Sequence, residues 1–242
     1  MYGIFGVSAR GNYMKKKYSC VILGSDQDYL SGAAETYLKL YFNLLYSGRF
    51  PRNAVKLPNN VIEIVEKNEV DFLFSFLSPV IIPEFVLKKI SIASINIHPA
   101  LPKWPGVGAA SFALFEGDKT YGVTAHEMLA KLDAGRIIRT IEFPILDNDS
   151  CETLFNRAMH YALILFYKII DDIGSSGEVK YTDLKWERDA ITRKEFEKWM
   201  ELSPDDPPDV IMKKIKALRH SKYPGPVIEL FNQRFVYPPQ ND

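Results

Sequence analysis

The segment that decides the fold runs from Ile95 to Asp133 and reads INIHPALPKWPGVGAASFALFEGDKTYGVTAHEMLAKLD. It begins at the end of a short apolar run, Ile92 to Ile95, which indicates a buried strand, so Asn96 and His98 lie where that strand ends. The two residues point to one face of a continuing strand because they are separated by a single position. In open α/β sheets, the carboxyl ends of the strands form the edge where ligands bind. The segment therefore predicts a site at this edge.

Further along, Tyr121 to Leu129 is predicted to form another strand, which carries His126, and Asp133 lies in the turn Lys131–Gly135. An amide, an imidazole and a carboxylate are a sufficient set for acyl transfer. The imidazole moves a proton, the carboxylate orients the imidazole, and the amide donates to a developing oxyanion. The same residues also fit a capped loop and an ordinary Asp-Ala-Gly turn. His126 is predicted to be structural or to act indirectly, because it lies within a strand.

Three motifs in this segment resemble the signatures of the folate-dependent formyltransferases. Asn96–Pro102 (NIHPALP) resembles N-x-H-P-(S/A)-L-P, Gly122–Met128 (GVTAHEM) resembles G-V-T-x-H-x-M, and Leu132–Ile138 (LDAGRII) resembles L-D-x-G-x-I-I. The three occur in the expected order. The resemblance is strongest to the enzymes that formylate nucleotide-linked amino sugars. It implies N10-formyltetrahydrofolate as the formyl donor, a primary amine as the acceptor, and a catalytic set of Asn96, His98 and Asp133.

The resemblance also implies which residues bind the two substrates. In the family, the loop that corresponds to residues 76–82 holds the pterin through backbone hydrogen bonds and apolar walls, and the segment after His126 forms the opposite wall. The implied folate-binding residues are Phe76, Leu77, Ser78, Ile81, Leu129 and Leu132. The loop after the N-x-H-P motif faces the acceptor in sugar- and nucleotide-modifying relatives, and the residues implied there are Pro99, Trp104 and Gly106. The indole of Trp104 is suited to stacking on a base or sugar, and equally to packing in the core.

Apolar runs that alternate with helical patterns predict an α/β fold. The expected architecture is a Rossmann-like, mostly parallel, twisted sheet with helices on both faces, which is also the fold that the family resemblance implies. The predicted strands cover residues 18–24, 54–57, 71–76, 92–95, 121–129 and 137–144. The predicted helices cover residues 31–46, 60–68, 83–89, 109–116 and 152–173, the last capped by Asp149 and Ser150. No G-x-G-x-x-G follows a strand, so no nicotinamide or flavin cofactor is expected.

The chain is predicted to have three parts. Residues 1–13 are predicted to be a tag or an N-terminal extension, because Met14 and the three lysines after it resemble a natural chain start. Residues 14–177 form the predicted catalytic domain, which ends in a Gly-Ser-Ser-Gly linker at residues 174–177. Residues 178–242 form a predicted small α+β C-terminal extension, with helices at 193–202 and 208–220 and a β-hairpin from strands at 227–229 and 234–237.

Composition limits the kinds of partner. The 30 basic and 30 acidic residues balance, which gives no electrostatic support for a nucleic-acid partner. No apolar run approaches the roughly 20 residues that a membrane span needs. Cys20 and Cys151 have neither metal-ligand nor disulfide spacing, so no metal is expected and a reducing, cytoplasmic compartment is the simplest interpretation.

A nucleotide-linked amino-dideoxy sugar, such as dTDP-4-amino-4,6-dideoxyglucose, is the leading acceptor, with a product for surface polysaccharide such as the O-antigen of lipopolysaccharide. Chain length, the tail of residues 178–242 and the motif H-E-M after G-V-T favour it. The alternatives are methionyl-tRNA formyltransferase, glycinamide ribonucleotide formyltransferase and formyl-folate hydrolase. The family resemblance also implies a homodimer.

Overall fold

The computed structural model describes residues 18–26 and 29–239, and the extension predicted for residues 1–13 lies outside them. The strands are β1 Ser19–Ser25, β2 Asn43–Phe50, β3 Phe72–Phe76, β4 Ala93–His98, β5 Thr120–Glu127, β6 Ile137–Pro144, β7 Glu201–Leu202, β8 Val227–Leu230 and β9 Gln233–Val236. The helices are α1 Leu30–Leu38, α2 Asn59–Lys67, α3 Glu84–Leu87, α4 Ala109–Glu116, α5 Cys151–Ser176, α6 Arg193–Trp199 and α7 Pro208–Ala217.

The main sheet has a parallel half and an antiparallel half. Its strand order is β2-β1-β3-β4-β5-β6. The first four strands run parallel, whereas β4–β5 and β5–β6 pair antiparallel. Strand β3 (FLFSF) is buried along its whole length, as expected for a central parallel strand with both faces covered. Strand β4 is thus the strand at which the direction of pairing changes, and it carries Asn96 and His98.

Helices cover both faces of the sheet. On one face, α1 and α5 pack against a buried cluster that includes Phe72, Phe74 and Phe166. On the other face, α2 and α3 enclose a second cluster that includes Val61, Leu73 and Val86. Helix α5 begins at the predicted cap: the Ser150 hydroxyl accepts from the backbone N–H of Thr153, and the Thr153 hydroxyl accepts from the N–H of Ser150.

The structure corrects the sequence prediction in the region after β1. The predicted helix 31–46 ends at Leu38, and residues 43–50 form β2, which pairs with β1. The apolar spacing Ala34, Leu38, Tyr41, Leu45 continues past the helix end, and the pairing partner that decides the strand is distant in sequence. Residues 54–57 form no strand, only a single bridge from Lys56 to Ile81.

The tail is tied to the catalytic part of the chain. The predicted linker 174–177 is the last turn of α5, capped by Gly177 in a left-handed conformation, so the linker prediction is wrong. Residues 182–191 then lie across the loops that follow β4 and β5. The backbone of this segment bonds to Ile137, Pro102 and Pro105. Helices α6 and α7 follow, and β7, β8 and β9 form a second sheet in which β8 and β9 are the predicted hairpin.

Candidate active site

The pairing of β4 with β5 brings two signature motifs together. In the register of these strands, Asn96 lies opposite His126 and His98 lies opposite Thr124. Directly opposed residues point to the same face of a sheet, so their side chains meet. The amide nitrogen of Asn96 lies 3.1 Å from Nε2 of His126. The Thr124 hydroxyl donates to the carbonyl of Ala100 at 2.7 Å, which fixes the loop after β4.

Asp133 lies at the centre of the site. Its Oδ2 is 3.3 Å from Nδ1 of His98 and accepts a hydrogen bond of 2.8 Å from the backbone N–H of Gly106. Its Oδ1 is 3.2 Å from Nε2 of His126. All three charged or titratable side chains are buried. One carboxylate thus joins two imidazoles, and we call His98, His126 and Asp133 the Asp133 cluster.

The turn that presents Asp133 is tightly constrained. Asp133 has a φ of +41°, which is uncommon for a residue with a side chain. A Cβ on Gly135 would lie 1.9 Å from the carbonyl oxygen of Glu127, so only glycine fits there. The indole N–H of Trp186 donates to the carbonyl of Gly135 at 2.8 Å. The turn is therefore held by β5 on one side and by the tail on the other.

The environment of Asp133 favours its ionised form. Burial alone raises the pKa of this carboxyl. The charge on His98, the hydrogen bond and charge of His126, and the N–H of Gly106 outweigh burial and hold the pKa of Asp133 well below its usual range. The cluster is thus a buried anion in contact with two imidazoles.

The predicted catalytic residues meet, but through a residue that the sequence analysis judged structural. His98 contacts Asp133 directly, whereas Asn96 reaches it through His126. The strand position of His126 gave no sign of this role. The register that sets His126 opposite Asn96 is the signal that identifies it, and that register is a property of the paired strands.

Trp186 is a site residue that the sequence analysis missed. Its ring lies edge-on to both imidazoles, with centroids 5.9 Å from His98 and 5.0 Å from His126. It comes from the tail, more than 50 positions after Asp133, and no motif marks it. The tail thus supplies part of the wall around the Asp133 cluster.

The predicted folate-binding loop is partly an exposed apolar surface. Ile81 is 63% exposed, and Leu129 and Leu132 are also exposed. Met128, which precedes Leu129, packs in the same buried cluster as Val80 and Ile82, which flank Ile81. Ile81 and Leu129 therefore extend from one underlying cluster, and this arrangement fits the predicted pair of apolar walls.

Other residues of that loop have structural contacts. Leu77 has a φ of +55°, and the Ser78 hydroxyl accepts from the N–H of Val80 at 3.3 Å. The side chain of Phe76 is 0% exposed and packs on Phe166, with ring centroids 5.3 Å apart. Phe76 can therefore offer a ligand only its backbone, and its assignment to folate binding stays a prediction of a backbone contact.

The predicted acceptor-binding residues have different positions. Trp104 is 2% exposed, with Phe112 stacked on its ring and Arg188 at 4.1 Å from the ring centroid. Its indole has no free face for a base or sugar, so the structure has the packing alternative of the two. Its carbonyl instead lies 2.9 Å from Nε2 of His98. Gly106, with a φ of +87°, gives its N–H to Asp133. Pro99 is half-buried directly after His98.

Two features are absent from the described part of the chain. No group of three or more His, Cys, Asp and Glu side chains there is arranged to hold a metal ion. In the same residues, no helix has the length and hydrophobicity to cross a membrane.

A cavity of about 380 Å³ lies between β6, α5 and the tail, and the Asp133 cluster does not line it.

Comparison with known proteins gives the family. The family model described as formyl transferase matches residues 19–170, which include all three motifs as far as Ile138 and the whole Asp133 cluster. The chain belongs to the formyl transferase family. The resemblance read from the motifs is therefore confirmed, and the prediction of a folate-dependent formyltransferase is confirmed at the level of the family.

The curated relatives match only part of the chain. The chain is 34% identical over 139 residues to a methionyl-tRNA formyltransferase from Mycoplasma mycoides subsp. mycoides, over 56% of this chain and 43% of that protein. The chain spans less than half of the length of the curated relatives it matches.

Solved structures are similar over nearly the whole chain. A 4-N formyltransferase from Francisella tularensis has a TM-score of 0.71 at 17% identity, over 93% of this chain and 98% of that one. An N-formyltransferase from Helicobacter canadensis, solved with folinic acid and dTDP-3-aminofucose, has a TM-score of 0.65 at 20% identity, over 89% of this chain and 85% of that one. At these identities the similarity establishes the fold, and the predicted fold is confirmed.

Proposed function

We propose that the chain transfers the formyl group of N10-formyltetrahydrofolate to the primary amine of a nucleotide-linked amino-dideoxy sugar. The observation that carries this proposal is the Asp133 cluster beside Asn96, at the end of β4, in a chain of the formyl transferase family. These groups supply an amide donor, a titratable imidazole and an anion within hydrogen-bonding reach of one another, and acyl transfer to an amine needs all three.

The choice of acceptor is supported by how much of each relative the chain covers. The sugar-directed structures are covered over 98% and 85% of their lengths, and the match includes the tail. The tRNA-directed relative is covered over only 43%. The balanced charge of the chain also favours a small acceptor over a nucleic acid. A deoxythymidine-linked sugar is the leading candidate, since the Helicobacter protein was solved with one.

The proposed reaction follows from the groups present. The amine nitrogen attacks the formyl carbon, the carbonyl becomes an oxyanion, and the amine loses a proton to the Asp133 cluster. Asn96 donates to the oxyanion, and removal of such a donor typically costs ~10²–10³ in rate. The intermediate then collapses, the bond from carbon to N10 breaks, and N10 receives the proton. The formylated amine and tetrahydrofolate are released.

His98 must exchange a contact to take part. Its Nε2 lies 2.9 Å from the Trp104 carbonyl, and its Nδ1 faces Asp133. Both ring nitrogens therefore have protein partners. Nε2 is the position at which the substrate amine can replace a partner, because Nδ1 faces a buried carboxylate. We propose that acceptor binding displaces the carbonyl contact, while Asp133 holds the ring in place.

The proposal also covers the use of the product and the assembly and location of the chain. An amino sugar formylated on its nucleotide would supply surface polysaccharide such as the O-antigen of lipopolysaccharide. We also propose that the chain is a homodimer, as the family resemblance implies, and that it lies in the cytoplasm, the compartment that its two cysteines indicate. Methionyl-tRNA is the second candidate acceptor, and the observation in its favour is the 34% identity to the Mycoplasma protein.

The test is an absorbance assay for the folate product with N10-formyltetrahydrofolate and a panel of acceptors. The panel contains nucleotide-linked 3-amino and 4-amino dideoxy sugars, glycinamide ribonucleotide and methionyl-tRNA, with mass spectrometry of each product. We expect turnover with one amino sugar and a product heavier by one formyl group in place of a hydrogen. Turnover with tRNA or glycinamide ribonucleotide alone would contradict the sugar assignment.

Two controls separate transfer from hydrolysis. Folate product without any amine, together with formate, would identify a formyl-folate hydrolase and contradict the proposed function. The variant Asn96→Ala should lose turnover. His160→Gln should keep it, because His160 is an exposed histidine of α5 whose ring nitrogens contact Tyr29 and Asn156, not Asp133.

A further inference from the structure

The proton positions in the Asp133 cluster follow from two backbone carbonyls. A carbonyl only accepts hydrogen bonds. Nδ1 of His126 lies 2.8 Å from the Glu127 carbonyl, and Nε2 of His98 lies 2.9 Å from the Trp104 carbonyl, so each of these nitrogens carries a hydrogen. The other two ring nitrogens face Asp133. In a neutral ring, the nitrogen that faces Asp133 carries the lone pair.

Nε2 of His126 has two partners and can satisfy only one of them at a time. In the neutral ring it carries a lone pair, which accepts from the Asn96 amide at 3.1 Å. In the protonated ring it carries a hydrogen, which it donates to Oδ1 of Asp133 at 3.2 Å. The protonated nitrogen can no longer accept from Asn96. Protonation of His126 therefore frees the amide N–H of Asn96.

The surroundings of His126 support this exchange. The charged groups that face the ring are Asp133 and, beyond it, His98. The neighbouring Glu127 carboxylate is bonded to the guanidinium of Arg136 at 3.0 Å. Trp186, which contacts the ring from the tail, is uncharged. Asp133 is thus the anion that a protonated His126 would bind.

We propose that His126 is a positioning residue that alternates between Asn96 and Asp133. Once the acceptor has displaced the Trp104 carbonyl, neutral His98 carries its hydrogen on Nδ1 and takes up the amine proton at Nε2. The Nδ1 hydrogen passes by way of Asp133 to Nε2 of His126. His126 then donates to Asp133 and releases the Asn96 amide to the oxyanion. When the intermediate collapses, the proton passes to N10 and His126 accepts from Asn96 again. This inference rests on the proposed formyl transfer, and it adds a coupling between proton uptake and oxyanion binding.

A double-mutant cycle tests the coupling. We expect His126→Gln to lower kcat by about tenfold to a hundredfold, the range of a coupled pair, with little change in the KM for the formyl donor. In an Asn96→Ala background, the same substitution should lower kcat by no more than about twofold, because the group through which it acts is gone. A purely structural His126 would lower kcat by the same factor in both backgrounds, and that result would overturn the proposal.

Heteronuclear NMR of the histidine ring nitrogens tests the inference without substrate or mutation. We expect neutral His126 to carry its hydrogen on Nδ1. His160 is the internal reference, because its Nδ1 also faces a backbone carbonyl, that of Asn156, at 2.8 Å. A hydrogen on Nε2 of neutral His126 would overturn the proposal. If no amine accepts formyl, the proposed function fails while this tautomer measurement still stands, so the two failures are distinguishable.

Discussion

Asp133 and Asp149 are buried to the same extent, 6% exposed each, but they have different kinds of partner. Asp149 lies just before α5. Its carboxylate accepts from the backbone N–H of Leu146, the hydroxyl of Thr153 and the guanidinium of Arg157. None of these partners changes its charge near neutral pH. Asp149 is therefore a fixed anion that stabilises a helix start.

Asp133 contacts two imidazoles, whose ring nitrogens can each donate or accept a hydrogen bond, depending on where the ring carries its hydrogen. Burial is thus the same for the two carboxylates, and the titratable partners are what distinguish the one suited to chemistry. The second difference is distance along the chain. The partners of Asp149 lie within eight positions of it, whereas Asp133 is held by residues from β4, β5, the loop after β4 and the tail.

The largest expected effect comes from exchanging the carboxylates for amides. Asp133→Asn keeps the side-chain shape but cannot stabilise a charged imidazole, so we expect kcat to fall by ~10²–10⁴. Asp149→Asn is the matched control and should change kcat by no more than a few fold. Steady-state kinetics on both variants measures this, and similar kcat values for the two would remove the distinction between them.

Asn96→Ala tests the amide alone. We expect kcat to fall by ~10²–10³, near 3 kcal/mol of transition-state stabilisation, because the oxyanion loses its donor. The KM for the formyl donor should stay within a few fold of the wild-type value. If KM rises and kcat is unchanged, Asn96 acts in substrate binding, and the active site would reduce to the Asp133 cluster.

Asp149→Ala tests whether Asp149 contributes to stability and not to catalysis. It leaves the half-buried Arg157 without its anion and exposes the start of α5, so we expect the free energy of unfolding to fall by about 3 kcal/mol. Asp147→Ala is the control, since Asp147 is exposed in the same loop. Denaturant unfolding gives both values. A loss of kcat in folded Asp149→Ala protein would contradict a purely structural role.

Acid unfolding should distinguish Asp133 as well. Because folding lowers its pKa, its contribution to stability is fully present above the unfolded pKa of about 4 and is lost as the pH falls through the lower folded value. We expect the free energy of unfolding to drop less steeply below about pH 4 in Asp133→Asn than in the wild-type protein. Asp147→Asn serves as the reference variant, and equal slopes in all three proteins would count against the lowered pKa.

The same contrast between local and distant partners explains what the sequence could predict. The cap of α5 could be predicted because Asp149 and Ser150 directly precede the helix, and Thr153, which completes the cap in the structure, lies within one turn of them. Asn96 and His98 were predicted because an apolar run ends beside them. Strand β2 was missed, since its assignment depends on pairing with β1 rather than on its own spacing.

Two site residues lay beyond local patterns. The partnership of His126 with Asn96 depends on the register between β4 and β5, which no spacing within one strand specifies. Trp186 reaches the site only because the tail crosses two loops. The family motifs located the catalytic set, and the three-dimensional pairing supplied the residue that connects its members.

Trp186→Phe is the smallest change that bears on the comparison. It removes the hydrogen bond to Gly135 and keeps an aromatic ring against the histidines, so we expect a loss of about 1 kcal/mol in stability. We also expect kcat to fall by several fold, because the turn that presents Asp133 loses an anchor. Trp199→Phe is the control, since Trp199 of α6 packs on Phe112 of α4 and not on a histidine of the cluster. If both variants keep wild-type kcat, the tail is not needed to position Asp133. The residues distant in sequence that hold this carboxylate would then be those of β4 and β5 together with Gly106.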